Sequence, residues 1–294
     1  MDRTDNFLAR KPEYTFDRVI IPKHTKDRIL EVLNLINCRE KVFDDWGLRV
    51  IEPHPSSALN FYGPSGVGKS MAAEAVADMI GKKLLRVTYS DIESKYQGEG
   101  SKNVDAVFKA AEKGNAVLFV DEADSLLSKR LSEVSSGADQ SVNALRSQLL
   151  MNLDMFEGIV IFATNLVVSY DNAFLTRLIS VRFDRPDGET RKRIWAVHLH
   201  PAGASKMNIP LSDDINISEL AERYDFCGRE IKQAVISACI CSASENRSSV
   251  TREILISACD MIVSERIALN QASDFTASGV TLKPTVGEYI KTHT

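Results

Sequence analysis

Gly63-Pro64-Ser65-Gly66-Val67-Gly68-Lys69-Ser70 is the stretch that decides the fold. Its spacing is G-x-x-x-x-G-K-[ST], the signature of a phosphate-binding loop set between a strand and a helix. Gly63, Gly66 and Gly68 let backbone N–H groups turn inward around an anion, where a Cβ would block the approach. Lys69 brings a positive charge to the β- and γ-phosphates, and Ser70 offers a hydroxyl to Mg²⁺. The flanks agree with the motif. Ala58-Leu59-Asn60-Phe61-Tyr62 is a short, mostly apolar run suited to a strand. After the loop, Met71, Ala75, Val76, Met79 and Ile80 recur at helical spacing, so a helix N-terminus lies beneath the phosphates.

Working outward, strand and helix alternate. Lys83–Tyr89 reads as a second strand and Lys102–Lys113 as a helix with Val104, Val107, Phe108 and Ala111 on one stripe. Ala116–Val120 is a continuous apolar run, as expected of a central parallel strand, and it ends in Asp121 and Glu122. Carboxylates at the C-terminal end of such a strand lie where open α/β sheets bind nucleotides. Ser141–Leu153 reads as a helix, Gly158–Ala163 as a strand ending in Thr164 and Asn165, and Leu175–Phe183 leads through a last short strand. Upstream, Thr25–Asn37 reads as a helix that Thr25 could cap. Beyond Pro186-Asp187-Gly188 the strand signal fades, and Glu189–Leu199, Ile217–Arg223, Arg229–Ala243 and Arg252–Ala268 read as helices. The expected organisation is a loose arm at 1–17, a doubly wound α/β domain at 18–186, a small helical domain at 187–268 and a polar tail at 269–294.

Bulk properties narrow the function classes. The chain has 294 residues, 44% hydrophobic and 26% charged, which is ordinary for a globular protein with a real core. A net charge of −4 disfavours a nucleic-acid motor, which would more often be basic. The charged opening Met1–Asn6 has no apolar signal core, and no apolar run approaches the ~18 residues of a membrane span. Five cysteines, an odd number, fit reduced thiols in the cytoplasm. Cys239 and Cys241 fall on different faces of a helix, which reads better as small apolar residues than as metal ligands.

ATP hydrolysis needs a metal, a positioned water and positive charge on the γ-phosphate. Asp121 is the natural Mg²⁺ partner of Ser70, and Glu122 the natural polariser of the attacking water.

In this order the motifs resemble those of the AAA+ ATPases, over roughly residues 16–268. Gly63–Ser70, with Met71 following, is similar to the family's Walker A, and Leu118–Asp124 to its Walker B. Ala163-Thr164-Asn165 resembles sensor 1, which implies that Asn165 helps place the lytic water. Asp171–Arg177 resembles the arginine-finger segment, which implies that Arg177 acts on ATP held by a neighbouring subunit of a ring, most often a hexamer. Many relatives carry a second arginine three residues on. Here that position is Ser180, so inter-subunit catalysis rests on Arg177 alone or on a finger supplied by a partner, the former being favoured. Gly228-Arg229-Glu230-Ile231 resembles sensor 2, with Arg229 reaching the γ-phosphate from the second domain. Val197-His198 matches a pair near the adenosine, so His198 is either a nucleotide contact or a surface helical histidine.

Lys95-Tyr96-Gln97 falls where the protein-remodelling branch carries pore loop 1, whose aromatic grips an extended polypeptide. Ser128–Asp139 falls at pore loop 2, with Arg130 and Glu133 as weaker candidates. There is no H-E-x-x-H peptidase signature and no substrate domain in the first residues, so the resemblance implies a bare motor served by a separate adaptor or by its own pore. Among compact remodellers, the segments Asn34–Leu48 and Gly63–Asn165 resemble the pachytene-checkpoint-type HORMA-domain remodellers, above all bacterial relatives in antiphage operons with a CD-NTase. That likeness implies a HORMA complex as client. The alternatives are another protein client, a nucleic-acid motor, and a nucleotide switch without turnover. The joint presence of Lys69, Asp121, Glu122, Asn165 and Arg177 disfavours the last.

Overall fold

The computed structural model describes residues 3–53, 55, 57–93, 99–128, 137–165, 170–200 and 207–277. The chain divides into two compact units, one of Met1–Arg193 with Phe226–Gly228 and one of Ile194–Asp225 with Arg229–Thr294.

The first unit is built on five parallel strands: β1 (Ala58–Tyr62), β2 (Lys83–Thr88), β3 (Ala116–Asp121), β4 (Val160–Thr164) and β5 (Leu178–Arg182). They lie in the order β2-β3-β4-β1-β5. Ala58 is in register with Val160 on one side and Leu178 on the other, and Leu118 pairs with Val160. Parallel strands need crossovers, and the helices that supply them cover both faces, which is why β1, β3 and β4 are apolar almost throughout. The period of two then sorts the side chains. Leu85, Val87, Leu118, Val120 and Phe162 enter one core, while Leu59, Phe61, Val117, Phe119 and Ile161 enter the other. Phe61, Phe119 and Phe162 are fully buried, each contributing about 1.5–3 kcal/mol by removal from water.

Helix α1 (Lys23–Asn37) packs Ile29, Val32 and Leu33 into the second of these cores. Its start is not capped by Thr25. Pro22 occupies the cap position, and the buried Thr25 hydroxyl donates to the Arg182 carbonyl at 3.0 Å, fastening the helix to the end of β5. The phosphate-loop helix α2 (Lys69–Met79) follows β1, and α3 (Tyr89–Ile92) follows β2, closed at its start by a capping box between Thr88 and Asp91. Next come α4 (Glu99–Lys113), α5 (Asp124–Leu127), α6 (Gly137–Met155) and α7 (Asn172–Leu175), the last capped by the Asp171 carboxylate at the Ala173 N–H.

The first residues are not a loose arm. Arg10 pairs with Leu84 in an antiparallel bridge along the outer edge of β2, N–H to carbonyl at 2.9 and 2.8 Å. Arg3 reaches Glu99 and Asn103 on α4. The buried carboxylate of Glu74, on α2, accepts from the Arg10 guanidinium at 2.6 Å and the Glu13 N–H at 2.8 Å. Unpaired strand edges invite such covering. The sequence offers little sign of it, because the contacts are single residues far apart in the chain.

The second unit is helical. Helix α8 (Gly188–Leu199) leads into it, followed by α9 (Ile217–Arg223), α10 (Gly228–Ser244) and α11 (Arg252–Ala277). Helix α11 continues past the expected end at Ala268 to Ala277. Asn216 caps α9 by accepting from the Ser218 and Glu219 N–H groups. The Tyr224 hydroxyl donates to Asp260 at 2.6 Å, and Arg266 pairs with Glu230 at 3.2 Å, tying α11 to its neighbours. Burial and the adjacent Asp260 push the Tyr224 hydroxyl well above the usual phenol range.

Candidate nucleotide site

The loop Gly63–Gly68 leaves β1 at the C-terminal edge of the sheet and enters α2 at Lys69. Gly63 is held between two strand ends. Its N–H donates to the Thr164 carbonyl at 3.2 Å, and a Cβ there would stand 1.9 Å from the Phe183 carbonyl oxygen. Gly68, at φ 101°, is the cap of α2 in a conformation that side chains resist, so the helix starts directly under the loop. Val67 is buried while Pro64 and Ser65 are exposed.

The Lys69 ammonium is buried within the loop, donating to the Gly63 carbonyl at 2.7 Å, the Pro64 carbonyl at 2.8 Å and the Asn165 Oδ1 at 2.9 Å. Lys69 and Asn165 are 96 positions apart and meet because β1 and β4 are neighbours. The Asn165 N–H donates in turn to Asp124 Oδ1 at 2.9 Å, so Asp124 positions the asparagine. Asp124 stands in the Walker B stretch, and sequence reasoning assigned it no role.

Asp121 closes β3. Its Oδ1 accepts the Glu122 N–H at 3.0 Å, and its Oδ2 lies 3.3 Å from the Ser70 hydroxyl, which donates to it. A hydroxyl and a carboxylate converging in this way are the hard oxygen donors that Mg²⁺ takes, with water and phosphate completing the shell, so Ser70 and Asp121 fit the ion. Bound there, the metal would neutralise charge on the phosphates. Glu122 is exposed and holds a left-handed φ of 54°. That conformation costs about 1–2 kcal/mol for a residue with a Cβ. The Asp121 carboxylate on its N–H and the Ala123 N–H on the Ala163 carbonyl, at 2.9 Å, fix the turn. Strain of this kind collects where a side chain must be presented in one place.

Arg177 follows α7. Its guanidinium donates to both Asp154 oxygens, at 2.6 and 2.9 Å, and to the Ala173 carbonyl at 3.0 Å. The Asp154 carboxylate raises its pKa further still. Asp154 went unrecognised in the sequence, since nothing in spacing joins the end of α6 to α7. Arg182 pairs with Asp184 at 2.7 Å.

Gly228 belongs to the first unit, where a Cβ on it would meet the Gly66 carbonyl at 3.5 Å, and Cys227 is buried in the same core. Arg229 is exposed at the start of α10, in the second unit. His198, also in the second unit, donates from Nδ1 to the Ile194 carbonyl at 2.8 Å. Lys95, Tyr96 and Gln97 lie outside the described residues, as do Arg130 and Glu133. Among the described residues no helix is long and apolar enough to cross a membrane.

The sheet order, the phosphate loop on β1 and the carboxylates on β3 define a P-loop nucleotide-binding domain. Residues 59–185 match the model of the ATPase family associated with various cellular activities (AAA). Similar curated proteins include 26S proteasome regulatory subunit 4 homologs and proteasome-activating nucleotidases. The chain is 32% identical to a 26S proteasome regulatory subunit 4 homolog of Schizosaccharomyces pombe, over 76% of this chain and 50% of that protein. It is 32% identical to the proteasome-activating nucleotidase of Methanocaldococcus jannaschii, over 88% of this chain and 59% of that protein. With proteasome-activating nucleotidase 1 of Haloferax volcanii the figures are 30%, 88% and 63%. The chain thus spans between half and two-thirds of the length of these relatives.

Proposed function

We propose that this protein is an ATP-hydrolysing, ring-forming remodeller that engages a protein client and unfolds or disassembles it. The observation that carries the reading is the joined set of Lys69, Ser70, Asp121, Glu122 and Asn165, assembled from three strand ends. With nucleotide bound, Lys69 would exchange the loop carbonyls for the phosphates, Ser70 and Asp121 would hold Mg²⁺, Glu122 would polarise water and Asn165 would orient it. The named relatives are a proteasome regulatory subunit and proteasome-activating nucleotidases, which supports a protein rather than a nucleic-acid client.

Ring assembly is supported by the surface around Arg177. A groove of about 660 Å³ beside it is lined by Leu35, Ile36, Val42, Phe43 and Leu153. Leu35, Met151, Met155 and Leu175 are exposed, as are Trp46, Val50 and Ile51. A second copy covering this face would receive Arg177 at its own nucleotide, the reading under which Arg177 is the finger. A homohexamer in the cytoplasm follows from the same family pattern. Tyr96 would grip the client in the channel, and Arg229 and His198 would approach the nucleotide from the helical unit. The narrower client, a HORMA-domain protein in complex with a CD-NTase, is supported only by the likeness of residues 34–48 and 63–165, and none of the relatives named above carries that description.

The test uses Glu122→Gln, whose amide cannot polarise water as a carboxylate does. The tagged variant is expressed in the native host and isolated with ATP, and the protein it retains is purified. That protein is expected to stimulate wild-type ATPase activity and to be unfolded by it, with Tyr96→Ala keeping basal hydrolysis but losing the unfolding. A HORMA-fold protein in that role supports the narrower client. Nucleic acid as the retained species, or stimulation by none of the retained proteins, overturns the remodeller.

A further inference from the structure

Asp121 has a third partner that the reaction described above does not use. The Arg86 guanidinium donates to its Oδ2 at 2.7 Å, the same oxygen that the Ser70 hydroxyl faces at 3.3 Å. Arg86 lies on β2, in register with Phe119 on β3, while Thr88 is in register with Asp121. Residues of one parity share a face, so Arg86, Phe119 and Asp121 stand on the side of the sheet where Leu84, Val117 and the α2 alanines pack. The Arg86 stem runs up that face, its guanidinium carbon 5.9 Å from the Phe119 ring centroid. The Asp121 side chain is 14% exposed and that of Arg86 48%. A half-exposed cation thus reaches over a mostly buried carboxylate and rests on the oxygen that a metal would use.

We propose that Arg86 is a positioning residue for the metal: it holds the Asp121 carboxylate beside Ser70 when no metal is bound, and competes with Mg²⁺ for that oxygen. Two cations cannot share one carboxylate oxygen without repulsion, so metal entry requires the Arg86 contact to lengthen. The arginine keeps the mostly buried carboxylate paired in the empty site, where an unpaired charge would be costly. It also raises the metal concentration the site needs. The inference rests on reading Ser70 and Asp121 as the metal pair.

The test titrates Mn²⁺, as a spectroscopic substitute for Mg²⁺, into the full-length protein saturated with ADP. Bound metal is read from the Mn²⁺ EPR signal against a nucleotide-only control. Arg86→Gln removes one positive charge a few ångströms from a dication. Even in a water-like dielectric that tightens Mn²⁺ binding by roughly tenfold. Arg86→Lys keeps the charge and is expected within about twofold of wild type, since the ammonium replaces the guanidinium as a point charge. Arg86→Met, which keeps the stem over Phe119, replaces Arg86→Gln if the latter does not fold. Unchanged or weaker Mn²⁺ binding in the neutral variants overturns the proposal, as does a shift in Arg86→Lys as large as theirs. Asp121→Asn separates the two readings. If it leaves Mn²⁺ binding unchanged the metal pair itself is misassigned, whereas if it abolishes binding and the Arg86 variants do nothing, only the role of Arg86 fails.

Discussion

Gly63→Ala tests how the phosphate loop is built. Gly63 has φ 144°, and a Cβ on it would lie 1.9 Å from the Phe183 carbonyl oxygen. Ordinary C···O contacts begin near ~3.3 Å, so the two strand ends must part by about 1.4 Å. They are not free to do so. The Gly63 N–H is bonded to Thr164 and the Phe183 N–H to the Tyr62 carbonyl, at 3.2 and 2.8 Å. Left-handed strain costs about 1 kcal/mol, and forced overpacking adds about 1–3 kcal/mol. At about 2–4 °C per kcal/mol for a unit of this size, Gly63→Ala is expected to lower the melting temperature by roughly 4–16 °C. Gly81→Ala is the control, because Gly81 also has a positive φ, 68°, but nothing stands within 4 Å of its Cβ position. It carries only the strain, about 2–4 °C. Thermal melts without nucleotide, with fluorescent-ATP binding alongside, measure both. The Gly63 carbonyl also receives the Lys69 ammonium, so Gly63→Ala is expected to lose nucleotide binding while Gly81→Ala keeps it. Equal melting temperatures, with nucleotide binding intact in both, would refute the steric argument.

Three further outcomes are expected. Arg177→Ala is expected to lower the maximal ATPase rate by about 10³–10⁵ with nucleotide binding preserved. Mixing it with Lys69→Ala should restore part of the rate, and failure of the mixture to recover would count against a finger acting between subunits. Burial, with Asp260 nearby, pushes the Cys259 thiol up to about 12, and burial also raises Cys239, whereas Cys38 is exposed. Iodoacetamide at pH 8 is therefore expected to modify Cys38, which lines the groove beside Arg177, in the folded but unassembled protein, and Cys259 only after unfolding. The sign of the linkage is fixed: a thiol raised from 9.0 to about 12 stabilises the fold below pH 9, and that contribution drains away as pH rises toward 12. Urea titrations at pH 8 and pH 10.5, with Cys259→Ala as reference, measure it.

The parts legible in the sequence were those with a local signal. Gly63–Ser70 declares itself because close backbone approach, a lysine and a hydroxyl must sit at set spacings on one loop. Asp121 and Glu122 follow because a doubly buried strand must be apolar until it surfaces at the site. The helix at Thr25 was legible, but its start was not, because the threonine hydroxyl is used across the fold on Arg182. Arg86 and Asp154 gave no local sign, and Asp124 gave none beyond its place in the Leu118–Asp124 stretch. Each looks like a surface charge until a neighbouring element supplies its partner.

By itself, then, the chain determined the strand order's raw material, the phosphate loop and the identity of the acidic pair, since these depend on periodicity and residue type within a few positions. Only the tertiary structure decided that Asn165 meets Lys69, that Arg86 lies on Asp121, that Asp154 grips Arg177, and that the first residues clasp β2 and Glu74. Those contacts join residues from about 20 to about 100 positions apart. Which of many similar charges become neighbours is set by how the strands are ordered in the sheet, and sequence spacing carries no record of that.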